Sequence, residues 1–134
     1  MSRILLCIFL SSCLYLTSCS SQEIMTSYPF LESNDDQDST VTVLFTDESD
    51  KRKENNYYDA LIDVQYKYPN KLSNVNVVYE SDEEIVNYYE IDTYPTLLLV
   101  NDLEVTLRIE GAQDFSSIYK KLEASLQQNS DEAS

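Results

Sequence analysis

The chain has 134 residues, enough for one small domain with extensions, and its 24 acidic residues against 9 basic ones give a formal net charge of −15. That balance argues against nucleic acid and against docking on anionic lipid, both of which need a basic face. With no histidine in the sequence, Ser–His and Cys–His nucleophile pairs and most zinc sites are excluded.

Residues 1–19 read MSRILLCIFLSSCLYLTSC, with Arg3 as the only charge. A basic start followed by a short apolar run is the secretory signal pattern, and the run is shorter than the about 20 residues a membrane span needs. Leu16-Thr17-Ser18-Cys19 resembles the lipobox of bacterial lipoproteins. Leu10-Ser11-Ser12-Cys13 also fits, but it would leave only Ile4 to Phe9 as apolar core. The resemblance implies a signal peptide over 1–18 and a diacylglyceryl or palmitoyl lipid on Cys19. The chain beyond position 19 contains no cysteine, so a processed chain would hold no free thiol and no disulfide. Residues 19–40 are rich in Ser and acid, which predicts a lipidated Cys followed by a flexible tether. Within it, Tyr28-Pro29-Phe30-Leu31 could pack on the domain.

From residue 41 the pattern becomes regular. Val41 to Phe45 is a β-branched run that predicts a buried strand. Tyr57, Leu61, Val64 and Tyr68 recur at spacings of one helix face, and Pro69-Asn70 ends that helix. Val75, Val77 and Tyr79 alternate as in a strand. Ser81-Asp82-Glu83-Glu84 has the form of a capping box with Ser81 as N-cap, opening a short helix with Ile85, Val86, Tyr88 and Tyr89. Thr96 to Val100 reads as a second buried strand. Asn101-Asp102-Leu103 reads as a turn, and Val105, Leu107 and Ile109 as the returning strand. Gly111, the only glycine, predicts a positive φ. Asp114 predicts an N-cap for a last helix whose apolar face is Phe115, Ile118, Tyr119, Leu122 and Leu126. Residues 128–134 read as a disordered acidic tail.

The order β-α-β-α-β-β-α, with Pro95 just before the third strand, resembles thioredoxin over residues 41–127. Tyr89 to Leu99, with Tyr94-Pro95-Thr96 at its centre, carries the resemblance most specifically. It implies an α/β, thioredoxin-like domain: a four-stranded mixed sheet, helices on both faces, and a cis peptide at Tyr94-Pro95. The family's two redox cysteines fall here on Asp50 and Lys53, and its buried acid on Leu44. A thiol exchange needs a thiolate, so the expectation is a fold kept without its chemistry, with no catalytic residue, metal or cofactor.

The candidate binding face is therefore Asp50, Lys51, Arg52, Lys53, Tyr94 and Pro95. The basic triplet also reads simply as a solvated turn balanced by Asp47, Glu48, Asp50 and Glu54. Tyr57, Tyr58, Tyr89 and Tyr94 could line the groove beside Pro95, or Tyr57, Tyr89 and Tyr119 could be core. The acidic clusters lack the spaced EF-hand loop and read as solubility. The functional expectation is a redox-inactive lipoprotein on the extracytoplasmic face of a bacterial membrane. It would bind an envelope protein or peptidoglycan and no nucleic acid. A structural spacer or scaffold subunit is the alternative. A cysteine-independent enzyme using Asp47, Asp50 and Glu54 is a minor one.

Overall fold

A computed structural model describes residues 20–32 and 40–132. Helix α1 (Ser20–Ser27) and a 3-10 turn (Pro29–Leu31) precede strand β1 (Thr40–Thr46). Helix α2 (Lys51–Lys67), strand β2 (Leu72–Tyr79) and helix α3 (Glu83–Tyr88) follow. The hairpin of β3 (Thr96–Asn101) and β4 (Glu104–Glu110) leads to helix α4 (Phe115–Glu132). The sheet order is β2-β1-β3-β4. β1 and β2 are parallel, β1 and β3 antiparallel, and β3 and β4 antiparallel.

β1 is buried along its whole length and divides the core by residue parity. Val41, Val43 and Phe45 point to one face, where they meet Leu98, Val100, Ile85, Val86 and Tyr89. Leu44 points to the other, with Leu97, Leu99 and Ile109, under Tyr57, Leu61 and Val64 of α2 and Ile118, Leu122 and Leu126 of α4. Covering both faces leaves β1 and β3 as near-continuous apolar runs, the pattern legible in the sequence.

Several local expectations hold. Asp114 caps α4, its carboxylate accepting from Ser117 N–H at 2.8 Å. The Tyr94-Pro95 peptide is cis, and Gly111 has φ +77°. The Asp102-Leu103 turn has both residues at positive φ (48° and 67°), as a type I′ hairpin turn requires, without using glycine.

Other expectations are corrected. Residues 20–27 are a helix and not a tether, whereas Tyr28, Phe30 and Leu31 pack on the domain as expected. Ile24 is 2% exposed and Leu31 fully buried, and both belong to the core on the α3 side of the sheet. Ser27 Oγ donates to Glu84 Oε1 at 3.0 Å, joining α1 to α3. Residues 128–132 continue α4 instead of forming a disordered tail. The α3 N-cap is Asp82 and not Ser81, because Asp82 N–H closes a turn onto Tyr79 O at 2.9 Å and so places Ser81 inside that turn. In β2 the deeply buried valine is Val78, while Val77 and Tyr79 stay 38% and 44% exposed, because β2 is an edge strand. A bulge at Thr106 moves Val105 onto the face opposite Leu107 and Ile109. Phe115 stacks on Tyr119 at 5.8 Å instead of entering the core. The signal peptide over 1–18, Cys19 and residues 33–39 and 133–134 lie outside the described residues. Among the described residues, no helix is long and apolar enough to cross a membrane.

Candidate functional site

The site lies where the parallel strands β1 and β2 end and α2 begins. Loop residues Asp47 to Asp50 leave β1 and turn into the helix. Asp47 organises this loop, accepting from Ser49 N–H at 2.9 Å and Ser49 Oγ–H at 2.7 Å. These bonds hold its carboxyl below the usual carboxylate range, and the positive charge of Lys53 adds in the same direction. Thr46, fully inside the fold, accepts from Glu48 N–H at 3.0 Å and donates a short bond to Glu54.

Asp50 is the N-cap of α2. Its carboxylate accepts from Arg52 N–H at 3.1 Å, satisfying one of the orphan donors of the first turn. The same carboxylate lies 3.7 Å from Arg52 Nε and 3.9 Å from Lys53 Nζ. Lys51, Arg52 and Lys53 are otherwise exposed to solvent. Three cations in the first turn oppose the helix dipole, and Asp50 offsets part of that cost.

Tyr94 and Pro95 approach the same place from β3. Pro95 is buried, and its carbonyl accepts from Gly111 N–H at 2.8 Å. Gly111 O in turn accepts from the Tyr57 hydroxyl at 2.6 Å, so α2 supports the proline loop through one residue. Tyr94 is half-buried. Burial raises its phenol pKa, and the negative charges of Glu80 and Asp47 raise it further. The charge of Lys53 thus acts on Asp47 and that of Asp47 on Tyr94.

A depression of about 350 Å³ opens beside them, lined by Thr46, Asp47, Glu48, Tyr79, Glu80 and Ser81. Its rim is acidic. Tyr79, Glu80 and Ser81 were not among the sequence-predicted site residues; only the parallel pairing of β1 with β2 brings them beside Thr46. Glu80 N–H donates to Thr46 O at 3.0 Å, which fixes that edge of the depression.

Of the three tyrosines expected in the core, Tyr57 and Tyr89 are there and Tyr119 is half-buried against it. Tyr57 and Tyr89 are 0% and 5% exposed, and burial pushes both phenols up to about 12. Tyr58 lies beside Glu54 and Tyr79 on the flank of α2. Arg108 was also missed. Its guanidinium donates a short bond to Tyr89 O, reaches Glu90 O at 3.5 Å, and pairs with Glu110 at 3.2 Å. It thus holds the carbonyls at the end of α3, just upstream of the proline loop. Lone arginines on alternating strands carry no sequence signal for such a role.

A second depression, of about 440 Å³, lies on the α2/α4 side among Asp63, Tyr66, Lys67, Phe115 and Tyr119. Lys67 bonds Glu123 at 2.8 Å across the two helices, and this partner raises the lysine pKa. Among the described residues, no group of acidic side chains is arranged to hold a metal ion.

Solved structures share this architecture. Thioredoxin-2 of the malaria parasite superposes with a TM-score of 0.54, at 10% identity, covering 69% of this chain and 89% of that one. The fold is thioredoxin-like. Another malarial protein (TM-score 0.52, 12% identity, 67% of this chain and 96% of that one) and a designed protein (TM-score 0.53, 18% identity, 80% and 84%) are similar in the same way. At these identities the likeness concerns the fold alone. By sequence, the chain is 38% identical over 72 residues to a Pal-related lipoprotein of Bacillus subtilis (strain 168). That match covers 54% of this chain and 56% of the relative, so the chain spans about half the length of the curated protein it matches. No protein-family model matches the chain.

Proposed function

We propose that this thioredoxin-like chain is a non-catalytic, lipid-anchored binding module on the extracytoplasmic face of a bacterial membrane. Its partner is an envelope protein or a component of the wall such as peptidoglycan. The observation that carries the reading is an acidic, tyrosine-edged depression at the ends of β1 and β2, with the half-buried Tyr94 of the proline loop near its acidic rim. Asp50 and Lys53 occupy the start of α2, and the chain beyond position 19 has no thiol to carry disulfide exchange. The backbone beside Pro95 can pair with an extended segment, while Tyr94 supplies contact area with a polar tip. Asp47 and Glu80 favour a partner segment with positive charge. The likeness to a Pal-related lipoprotein supports the anchor, as does the Leu16-Thr17-Ser18-Cys19 sequence.

The stacked pair Phe115–Tyr119 beside the 440 Å³ depression favours a second reading, a scaffold subunit that docks through α2 and α4. A photo-crosslinking residue placed at 94, and separately at 115, in living cells separates the two. One dominant adduct specific to position 94 is the expected result. Adducts only at 115 select the scaffold reading. Replacing Cys19 with Ala tests the anchor independently: the protein should leave the membrane fraction and lose its lipid label. Insulin reduction by the purified chain above a heat-inactivated control would overturn the non-catalytic assignment.

A further inference from the structure

The two edges of the sheet are built differently. β4 carries Glu104, Arg108 and Glu110 and a bulge at Thr106, the features that discourage another strand from pairing with an edge. β2, the opposite edge, has no charged residue and no proline between Leu72 and Tyr79. Among the described residues no strand pairs with its outer side. Val77 and Tyr79 remain 38% and 44% exposed on this edge. Tyr58 lies beside Tyr79, and Ile62, one helical turn further along α2, is 62% exposed. Two of the five large hydrophobic residues exposed among the described ones, Val77 and Tyr79, thus lie on β2, and a third, Ile62, follows Tyr58 along α2.

The residues flanking β2 have opposite charge: Lys71 precedes it and Glu80 follows it, and both are exposed. We infer that β2 pairs antiparallel with β2 of a second copy of this chain, making a two-fold dimer with a continuous eight-stranded sheet. A two-fold axis normal to the sheet keeps each face continuous, because opposed residues then share a face. Centring the axis on Asn76 sets Val75 against the partner's Val77. The extra residue of the bulge at 73–74 then brings Leu72 against the partner's Tyr79, both on the α2 side. The next pair outward is Lys71 against the partner's Glu80, made twice by symmetry. The same register turns the flanks carrying Tyr58 and Ile62 toward each other over the joined strands. A second copy fits this edge because its charges and apolar residues match themselves under that one rotation. The inference shares Tyr79 and Glu80 with the depression beside the proline loop, so pairing at this edge would neutralise part of that depression's acidic rim.

Sedimentation velocity on the full, detergent-solubilised chain tests it, with circular dichroism confirming that each variant is folded. The wild-type chain should dimerise with rising concentration. Lys71→Glu converts both symmetric ion pairs into like-charge contacts and should weaken the dimer about tenfold. Lys71→Glu combined with Glu80→Lys should restore it, and Val77→Lys, placing a cation opposite Val75, should abolish it. Both charge sites are exposed, so the swap remains informative if Val77→Lys disturbs folding. A wild-type chain that stays monomeric at every concentration overturns the inference. So does a dimer indifferent to Lys71→Glu, which would have to use another face.

Discussion

Replacing Tyr57 with Phe should destabilise the fold at pH 7 and cease to do so by about pH 11. The Tyr57 ring is fully buried in the core beneath α2, and Phe keeps that packing. What is lost is the hydroxyl that donates to Gly111 O at 2.6 Å. A single such bond contributes about 1 kcal/mol net. Burial raises the phenol from 10.0 to about 12, with Glu110 adding to the shift, so the native state favours the protonated ring. The sign follows from linkage. The raised pKa contributes stability that is complete below pH 10, and it is lost as pH rises toward the folded value. Between those limits the unfolded chain has released the proton and the folded chain has not, which costs about 1.4 kcal/mol per pH unit. By pH 11 the wild-type protein has therefore lost about 1.4 kcal/mol that the Phe variant never had, which cancels the original advantage. Urea unfolding followed by far-ultraviolet circular dichroism at pH 7, 9, 10 and 11 measures the difference. The chain has 11 tyrosines, so the difference in tyrosinate absorbance between the wild-type and Phe chains is what reports the ionisation of Tyr57. A destabilisation that stays constant from pH 7 to pH 11 would refute the argument.

Leu31→Ala should cost about 2–5 kcal/mol in urea unfolding, because it truncates a fully buried leucine. Arg108→Ala should cost about 1–3 kcal/mol, since it leaves the carbonyls of Tyr89 and Glu90 without their cationic donor. Faster amide exchange across residues 89–95 should accompany that loss. Gly111→Ala should destabilise by about 1 kcal/mol through its φ of +77° and not through a clash, because the added methyl would meet Thr93 Cγ2 at an ordinary 3.5 Å. A larger loss on thermal unfolding would mean that the Gly111–Pro95 contact had also moved.

The order of elements from β1 to α4 was readable because burial from both sides makes β1 and β3 apolar throughout, and because Pro69, Pro95, Gly111 and Asp114 punctuate the chain at their boundaries. The α1 segment was harder. Its apolar positions Ile24, Tyr28 and Leu31 follow a helical spacing, but they sit among serines and acids that favour a solvated chain. Tertiary burial against Val41 and Ile85 outweighs that composition. The β2 alternation was visible, but not which face would be deeper, since this depends on β2 being an edge. The site shows the same division. The Tyr94-Pro95 loop was legible from position, whereas the capping role of Asp50 was not read, and Tyr79 and Glu80 join the depression only through parallel pairing with β1. Arg108 acts on carbonyls 18 and 19 residues away, across the hairpin, and no local pattern encodes that contact.

The start of α2 shows how a capping carboxylate sets the charge of a helix end. The N-terminal end of a helix offers unpaired N–H groups and a positive partial charge, which would stabilise a thiolate or attract an external anion. Here the Asp50 carboxylate occupies that position and accepts from Arg52 N–H. One of the donors of the helix end is thus satisfied from within the chain, and a negative charge already sits there. Arg52 and Lys53 lie 3.7 and 3.9 Å from the same carboxylate and remain exposed. The groups left facing the depression are Asp47, Glu48 and Glu80 with Tyr79 at the edge, and they present negative potential and aromatic surface. A partner recognised here should therefore carry positive charge. Raising the salt concentration should slow its association more than it speeds its release, because screening acts chiefly on encounter. Binding that strengthens with salt would show that the acidic rim plays no attractive part.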